Sequence, residues 1–598
     1  MFKNLLSVLK SKIKSFNSIR QNNTEKYKKV NLILMIVFPL FICSMAEINQ
    51  GKTLSRFFDF IVHKPSVFLF DLVLWGAIFA GLLFLFKKGW IAVLTQSAAM
   101  FSLSIIELFK FNTNGNHLIL ADMSLAKSIK SMTSFAYIKI TVPLVVYFII
   151  VLAFFITVFW FNPVIHEQFK KRLPKFFALI TPVALVVCIP AIGMPVYRVF
   201  GIDTKPSINN FVENEKFACN SFLAFFTQTA TENFFDGVKK PANYSAETIA
   251  NLITVENKTK PETFDVKPNV IVVMSESFAD FRKFETDGLV LPVSNAYDAI
   301  DRVGEQGYKG TAIVPTFASF TVRTEFELNF GLPVRSLNDP NMPQRELTEK
   351  DQTTIARYYK EQLGYTTAYI HPFISTFYSR AKLYPYFDFD NLIFDEDFTV
   401  PVETFTSGYY SDKTVYNQIE QLLVDNDKPM FIHTTTMQNH QPYVYADGDD
   451  EFTNYLNGMK ESSDQFEEFT KQLTELDEPT VVLFIGDHFP SLRGESSVYE
   501  QLGLNGTNCS PVYEQNFVVW ANYDFDYSSI PHNTVSLFYI PYTIIDAIDA
   551  PTNNFIRDML IKMRNLPVYS TCYDNSVGRD EFLDTITYDR VYGEDYSS

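Results

Sequence analysis

The sequence is poor in cysteine, in histidine and in charge. Five cysteines in 598 residues cannot form the disulfide framework of a small secreted module. Charged residues make up 20% and hydrophobic ones 47%, which excludes a disordered chain. Eight histidines are few enough for their positions to carry information. Basic residues are scarce in one part only. Residues 1–200 hold 22 Lys and Arg against 7 Asp and Glu, whereas residues 201–598 hold 29 against 60. The formal net charge of −16 thus averages a basic segment with a strongly acidic one, and an asymmetry of this size implies two environments. The first reads as membrane and the second as a water-soluble domain. The acidic surface of that domain excludes a nucleic-acid partner.

Five apolar stretches, 30–46, 66–86, 91–109, 140–161 and 176–196, approach the ~20 residues that cross a bilayer as a helix. Four spans after the first argue against a cleaved signal peptide. With the N-terminus inside, the inner segments carry fourteen Lys and Arg and the outer loops seven. That bias favours a cytoplasmic N-terminus. An odd number of spans then leaves everything after Val196 outside the cell. Asp71 falls near the outer end of its span and is expected at the interface. Three regions follow: a transmembrane domain at 1–197, a partly helical connector at 198–265 and an extracellular domain at 266–598. The Phe-rich middle of the connector suits a helix lying on the membrane surface or packing on the next domain; an ordinary linker helix accounts for it equally well.

From Asn269 the rhythm changes. NVIVVMSE is a β-branched run ending in a polar cluster, and YTTAYIH (365–371), PMFIHTTTM (429–437), TVVLFIGD (480–487) and NFVVWAN (516–522) repeat that form. Helical patterns at 352–364 and 463–476 lie between them. Buried strands alternating with amphipathic helices imply an α/β sheet, mostly parallel, with its ligand site outside the carboxyl ends of the strands. Glu276 follows the first strand, His371 ends the second, His440 follows the third, and Asp487 and His488 end the fourth. Any one histidine, including His433, reads as structural; the clustering of Glu, Asp and His at strand ends points to a metal site.

In GTAIVPTFASFTVRTEFELNFGLP (310–333) an extended run leads into a helix expected to start near Thr321. A helix start presents free N–H groups and a positive dipole end, which suits a phosphate. The Thr321 hydroxyl there is either a cap or a nucleophile activated by a metal.

Together these segments resemble the lipoteichoic acid synthase family of phosphoglycerol transferases, in the sulfatase and alkaline phosphatase superfamily. PNVIVVMSESFAD resembles its first metal motif, FASFTVRTEFELNFGLP its nucleophile segment, HPFISTFYSRAKLYPYFDFD its head-group segment and TVVLFIGDHFPSL its second metal motif, with TMQNHQPY supplying His440. The motifs stand in family order along nearly the whole chain. The resemblance implies five spans before a sulfatase-like α/β domain, with Glu276, Thr321, Asp487 and His488 as metal ligands, Thr321 as nucleophile, and Tyr378, Arg380 and His440 binding substrate. It departs in carrying Ala318, Ser319 and Phe320 where small, glycine-rich residues are usual, Val322 and Arg323 after the nucleophile, and Tyr378 where some members have Trp.

The mixed O and N donors suit Mn²⁺, Zn²⁺ or Mg²⁺, and the resemblance favours Mn²⁺. It also implies transfer of glycerophosphate from phosphatidylglycerol, through a phosphorylated Thr321, to a glycerophosphate polymer, glycolipid or glycan at a bacterial plasma membrane. A phosphoethanolamine transferase would share the metal and the threonine. A sulfatase would need C-x-P-x-R; Cys509-Ser510-Pro511-Val512-Tyr513 ends in Tyr and lies after the Asp-His motif. A catalytically inactive membrane scaffold is the reading from another class, against which the intact Glu, Thr, Asp and His set stands. Cys219, Cys509 and Cys572 fall outside the membrane, where Cys509–Cys572 is the candidate disulfide. The tail YDRVYGEDYSS resembles the family's usual ending, from which a complete chain is expected.

Overall fold

The computed structural model describes residues 24–51, 54–86, 88–120, 122, 142–161, 188–205, 209–235, 238–253, 266–337, 342–443, 450–492, 497–574 and 576–598. Among these, four helices are long and apolar enough to cross a membrane, not the five expected. They are α1 (Thr24–Gly51), α2 (Pro65–Phe86), α3 (Gly89–Asn114) and α4 (Val142–Phe161). The fifth stretch, 176–196, lies outside the described residues up to 187. A helix bonds every interior backbone group within its own segment, which a chain in hydrocarbon requires. The outward faces of these helices are apolar as well: Leu32, Ile33, Ile36, Leu69, Val73 and Ile149 are all exposed. Exposed apolar surface on this scale suits lipid contact.

Asp71 is not interfacial. It is fully buried and accepts the backbone N–H groups of Leu223 (3.0 Å) and Ala224 (2.9 Å). These are orphan donors at the start of a helix, which a carboxylate satisfies. Glu47 Oε1 takes the neighbouring Phe222 N–H at 3.2 Å. The connector therefore docks on the bundle. Its helices α5 (Asn210–Asn220) and α6 (Phe222–Phe235) contribute Phe217, Phe222, Leu223 and Phe225 to the same core as Phe38, Trp75 and Phe79.

The acidic part forms one eight-stranded sheet ordered β4-β3-β5-β1-β6-β7-β2-β8. The strands are β1 (Asn269–Ser275), β2 (Tyr308–Ile313), β3 (Thr366–Ile370), β4 (Asn391–Ile393), β5 (Met430–Thr435), β6 (Thr480–Gly486), β7 (Glu514–Ala521) and β8 (Val535–Ser536). All five expected strands form. The sheet is mixed, because β7 runs antiparallel to both β6 and β2. Strands β1, β5 and β6 are buried along their whole length. Alternate residues feed two cores: Val270, Val272 and Met274 face one, Ile271 and Val273 the other.

Helices cover both faces: α7 (Asp298–Gln306), α8 (Thr321–Phe330), α9 (Asp412–Val424) and α10 (Glu451–Glu475). The helix expected at 463–476 is thus part of a longer one. That expected at 352–364 is one α turn, Ile355–Arg357, running into a π-helical segment, Tyr358–Gln362. Cys509 and Cys572 are free, buried thiols rather than a disulfide; both lie within one apolar core.

Candidate active site

Strand order explains why residues far apart in sequence meet. Strands β5, β1 and β6 are parallel neighbours, so their carboxyl ends open on one side. Glu276 follows β1, and Asp487 and His488 follow β6. One ligand atom from each of these three buried residues lies within 4.8 Å of the others. Gly486 allows this approach, since a Cβ there would stand 1.8 Å from the Phe278 carbonyl oxygen.

Several backbone groups hold the carboxylates. Asp487 Oδ1 accepts from the N–H of Ser277 (2.7 Å) and of His488 (2.8 Å). Glu276 Oε1 accepts from Ser277 Oγ at 2.8 Å, and the Glu276 N–H donates to Thr436 Oγ1 at 3.2 Å. Burial and the nearby Asp487 carboxylate push the Glu276 carboxyl well above its usual range. Burial also raises Asp487, with His488 pulling the other way.

These groups fit a cation. Asp487 Oδ2 is buried without a hydrogen-bond partner. His488 Nδ1 donates to the Phe489 carbonyl at 2.9 Å, so a neutral ring turns its Nε2 lone pair toward Asp487 Oδ2, 3.2 Å away. Two facing lone pairs beside a second carboxylate call for positive charge between them.

Thr321 stands at the edge of this cluster. It is the first residue of α8, all ten residues of which are buried. Phe320 is the cap position and makes no side-chain cap, so the threonine hydroxyl is not used as one; it lies 3.5 Å from Glu276 Oε2. The preceding turn is sharp. Ala318 (φ 64°) and Phe320 (φ 62°) are both left-handed, at positions where the resemblance implies small or glycine-rich residues and where glycine pays no Cβ penalty.

Arg380 does not offer an open fork. It is fully buried and gives Nε (3.2 Å) and Nη2 (2.8 Å) to Glu325; only Nη1 remains without a partner. Its guanidinium sits 5.3 Å from the Tyr378 ring centroid, and Tyr378 packs against Phe320, Val322 and Met342 beside the turn that precedes α8. His440 Nδ1 donates to the Gln441 carbonyl at 2.8 Å, which puts the neutral ring's lone pair on Nε2; burial holds the ring at about 4 against that hydrogen bond. His371 and His433 stay out of the metal cluster. The first bonds the Thr435 carbonyl and the second Asn329 Oδ1.

Sequence reasoning missed Ser277, Thr324 and Glu325. Thr324 Oγ1 donates to the Asp487 carbonyl at 2.8 Å, tying α8 to the end of β6. Glu325 collects five hydrogen bonds: two from Arg380 and one each from Tyr369 (2.7 Å), Tyr384 (2.5 Å) and Thr435 (2.8 Å). Thr324 and Glu325 lie three and four residues after Thr321, on the same helical side, which is the signal that would have found them.

Residues 268–550 match the sulfatase family. A Rhizobium meliloti (strain 1021) protein, provisionally named a cyclic beta-1,2-glucan modification protein, is 27% identical over 357 residues, 56% of this chain and 53% of that protein. The lipoteichoic acid synthase of Staphylococcus saprophyticus subsp. saprophyticus is 25% identical over 305 residues, 45% of each. The solved structure of the Streptococcus pyogenes phosphoglycerol transferase GacH in complex with sn-glycerol-1-phosphate superposes with a TM-score of 0.48 at 21% identity, over 60% of this chain and 97% of that one. The chain spans about half the length of the curated relatives it matches. Residues 268–550 are thus similar to the sulfatase family, and the chain resembles a lipoteichoic acid synthase over 45% of its length.

Proposed function

We propose that the chain is a membrane-anchored transferase that moves glycerophosphate from phosphatidylglycerol to an acceptor outside the cell, with Thr321 as nucleophile. The observation that carries this reading is the Thr321 hydroxyl, unused as a helix cap and 3.5 Å from Glu276 in the buried Glu-Asp-His cluster. The relatives' names, a lipoteichoic acid synthase and a phosphoglycerol transferase, agree with it.

A divalent ion held by Glu276, Asp487, His488 and Thr321, for which we favour Mn²⁺ over Zn²⁺ or Mg²⁺, would neutralise phosphate charge and acidify the threonine hydroxyl. The Thr321 oxygen bonds to phosphorus, the bond from phosphorus to the glyceride oxygen breaks, and diacylglycerol leaves. Glycerophospho-threonine remains. An acceptor hydroxyl attacks the same phosphorus and restores the free threonine. His440 is the group we assign to carry the proton from each attacking hydroxyl, through its Nε2, to the departing oxygen. Arg380 Nη1, the unpartnered nitrogen of a charge otherwise spent on Glu325, takes a phosphate or head-group oxygen, beside the aromatic face of Tyr378. The acceptor is a glycerophosphate polymer, a glycolipid or a glycan.

A lipid substrate stays in its leaflet, so an active site tethered to a bacterial plasma membrane, with its N-terminus cytoplasmic and its catalytic domain outside, meets it at high effective concentration. The test is Thr321→Ala in the purified full chain with labelled phosphatidylglycerol. Loss of diacylglycerol release is expected; undiminished release overturns the assignment.

A further inference from the structure

Helix α5 touches two bodies at once. At its start, Asn210 Nδ2 donates to the Phe317 carbonyl at 2.8 Å, and the Phe211 ring stacks on the Phe317 ring at 5.2 Å. Farther along, Asn214 Nδ2 donates to the Gly115 carbonyl at 2.9 Å, and Phe217 stacks on His117 at 3.4 Å. Gly115 and His117 lie in the segment that leaves membrane helix α3. Eleven helical residues form a rod ~16 Å long, and this one runs from the outer end of the bundle to the sulfatase-like domain.

What it reaches there is the nucleophile turn. Phe317 begins the five residues that end at Thr321, and within them Ala318 and Phe320 hold left-handed conformations. Non-glycine residues keep such angles only where surroundings impose them. Two constraints are local: the Ala318 N–H bonds the Phe489 carbonyl at 3.0 Å, and Thr316 Oγ1 bonds the Ser319 carbonyl at 2.5 Å. A third, from Asn210, arrives from the connector. The rod is itself fixed at both sides. Glu215 Oε1 accepts from the Gly506 N–H at 3.0 Å, and Lys216 pairs with Glu232 of α6 at 2.9 Å, the helix that Asp71 caps.

We propose that α5 is a strut that ties the aim of Thr321 to the seating of the sulfatase-like domain on the membrane bundle, with Asn210 and Phe211 as positioning residues. The inference rests on the reading of Thr321 as nucleophile. Three of the four residues assigned to the ion, Glu276, Asp487 and His488, are anchored at the ends of β1 and β6 rather than on the strut, so its loss misdirects the hydroxyl while these three still hold the ion. Turnover is thereby coupled to attachment.

The test uses the full chain in detergent micelles with fluorescent phosphatidylglycerol, and Mn²⁺ affinity measured by titration calorimetry. Asn210→Ala and Phe211→Ala each lower kcat roughly ten- to a hundredfold, the scale of a misplaced reacting group, while KM and Mn²⁺ affinity stay within about threefold. Asn210→Gln, which keeps the amide donor, recovers part of the loss. The double variant N214A/F217A removes the contacts to Gly115 and His117 while leaving Asn210 and Phe211 on Phe317, and shows the same loss confined to kcat. Wild-type kcat in N210A and F211A overturns the positioning role, and wild-type kcat in N214A/F217A overturns the coupling. Collapse of Mn²⁺ affinity together with kcat also overturns it, as a general loss of structure. Thr321→Ala run alongside separates the two readings. If it releases diacylglycerol normally, the nucleophile assignment falls; if it is inactive while the α5 variants are unimpaired, only the strut falls.

Discussion

Replacing Glu325 with Gln removes one charge from a carboxylate that collects five hydrogen bonds, one helical turn after Thr321. Burial alone would raise this carboxyl, but Arg380 outweighs it through charge and hydrogen bonds and holds Glu325 at about 2 instead of 4.5. Such a depression corresponds to about 3 kcal/mol of stability at neutral pH. The cost of breaking the pair is of the same size: stranding one member of a buried ion pair costs roughly 3–5 kcal/mol, and Arg380 is fully buried. The sign follows from a folded value below the unfolded one. The contribution is complete above pH 4.5 and is lost as pH falls toward 2. Thermal unfolding of the detergent-solubilised full chain should therefore show Glu325→Gln melting roughly 5–10 °C lower at pH 7, with the gap to wild type narrowing as the pH falls below the ordinary carboxylate range. An unchanged melting temperature at pH 7, or a gap independent of acidity, would refute the claim that the Glu325–Arg380 pair holds α8 in place.

Gly486→Ala forces a methyl against the Phe278 carbonyl, an overpacking that costs about 1–3 kcal/mol; because Asp487 is the next residue, Mn²⁺ affinity should fall with the melting temperature, as calorimetry would show. Asp71→Ala strips two N–H groups of their acceptor at the start of α6 and should cost about 1–2 kcal/mol, read as faster limited proteolysis within 222–235. Asp487→Asn should weaken Mn²⁺ binding at least about tenfold, and wild-type affinity would argue against a cation in the Glu-Asp-His cluster. Phosphatidylglycerol should be consumed in preference to phosphatidylethanolamine in a head-group assay, and the reverse preference would favour the phosphoethanolamine transferase reading.

The site was legible where chemistry sits at the ends of local patterns. The runs NVIVVMSE and TVVLFIGD mark buried strands by their β-branched residues, and the rule for strand ends then points to Glu276, Asp487 and His488. Thr321 stood out because a helix pattern begins there. Direction leaves no such mark: NFVVWAN reads as a strand like the others, and only its partners make β7 antiparallel. Groups that act across the fold were equally hidden. Asp71 looks like an interfacial carboxylate until a helix 152 residues away brings its N-terminus to it. Arg380 was expected to bind substrate, and nothing local shows that Glu325, 55 residues earlier, takes two of its nitrogens. The connector showed aromatic content without a destination, because its alternatives differ only in tertiary contacts.

The central claim is that glycerophosphate rides on Thr321. Acid quenching of the full chain during turnover of labelled phosphatidylglycerol with Mn²⁺, followed by peptide mass spectrometry, tests it directly. Label on the peptide containing Thr321, absent from Thr321→Ala, is the expected result. Diacylglycerol release with no label on the protein, or label on a different residue, would contradict the account.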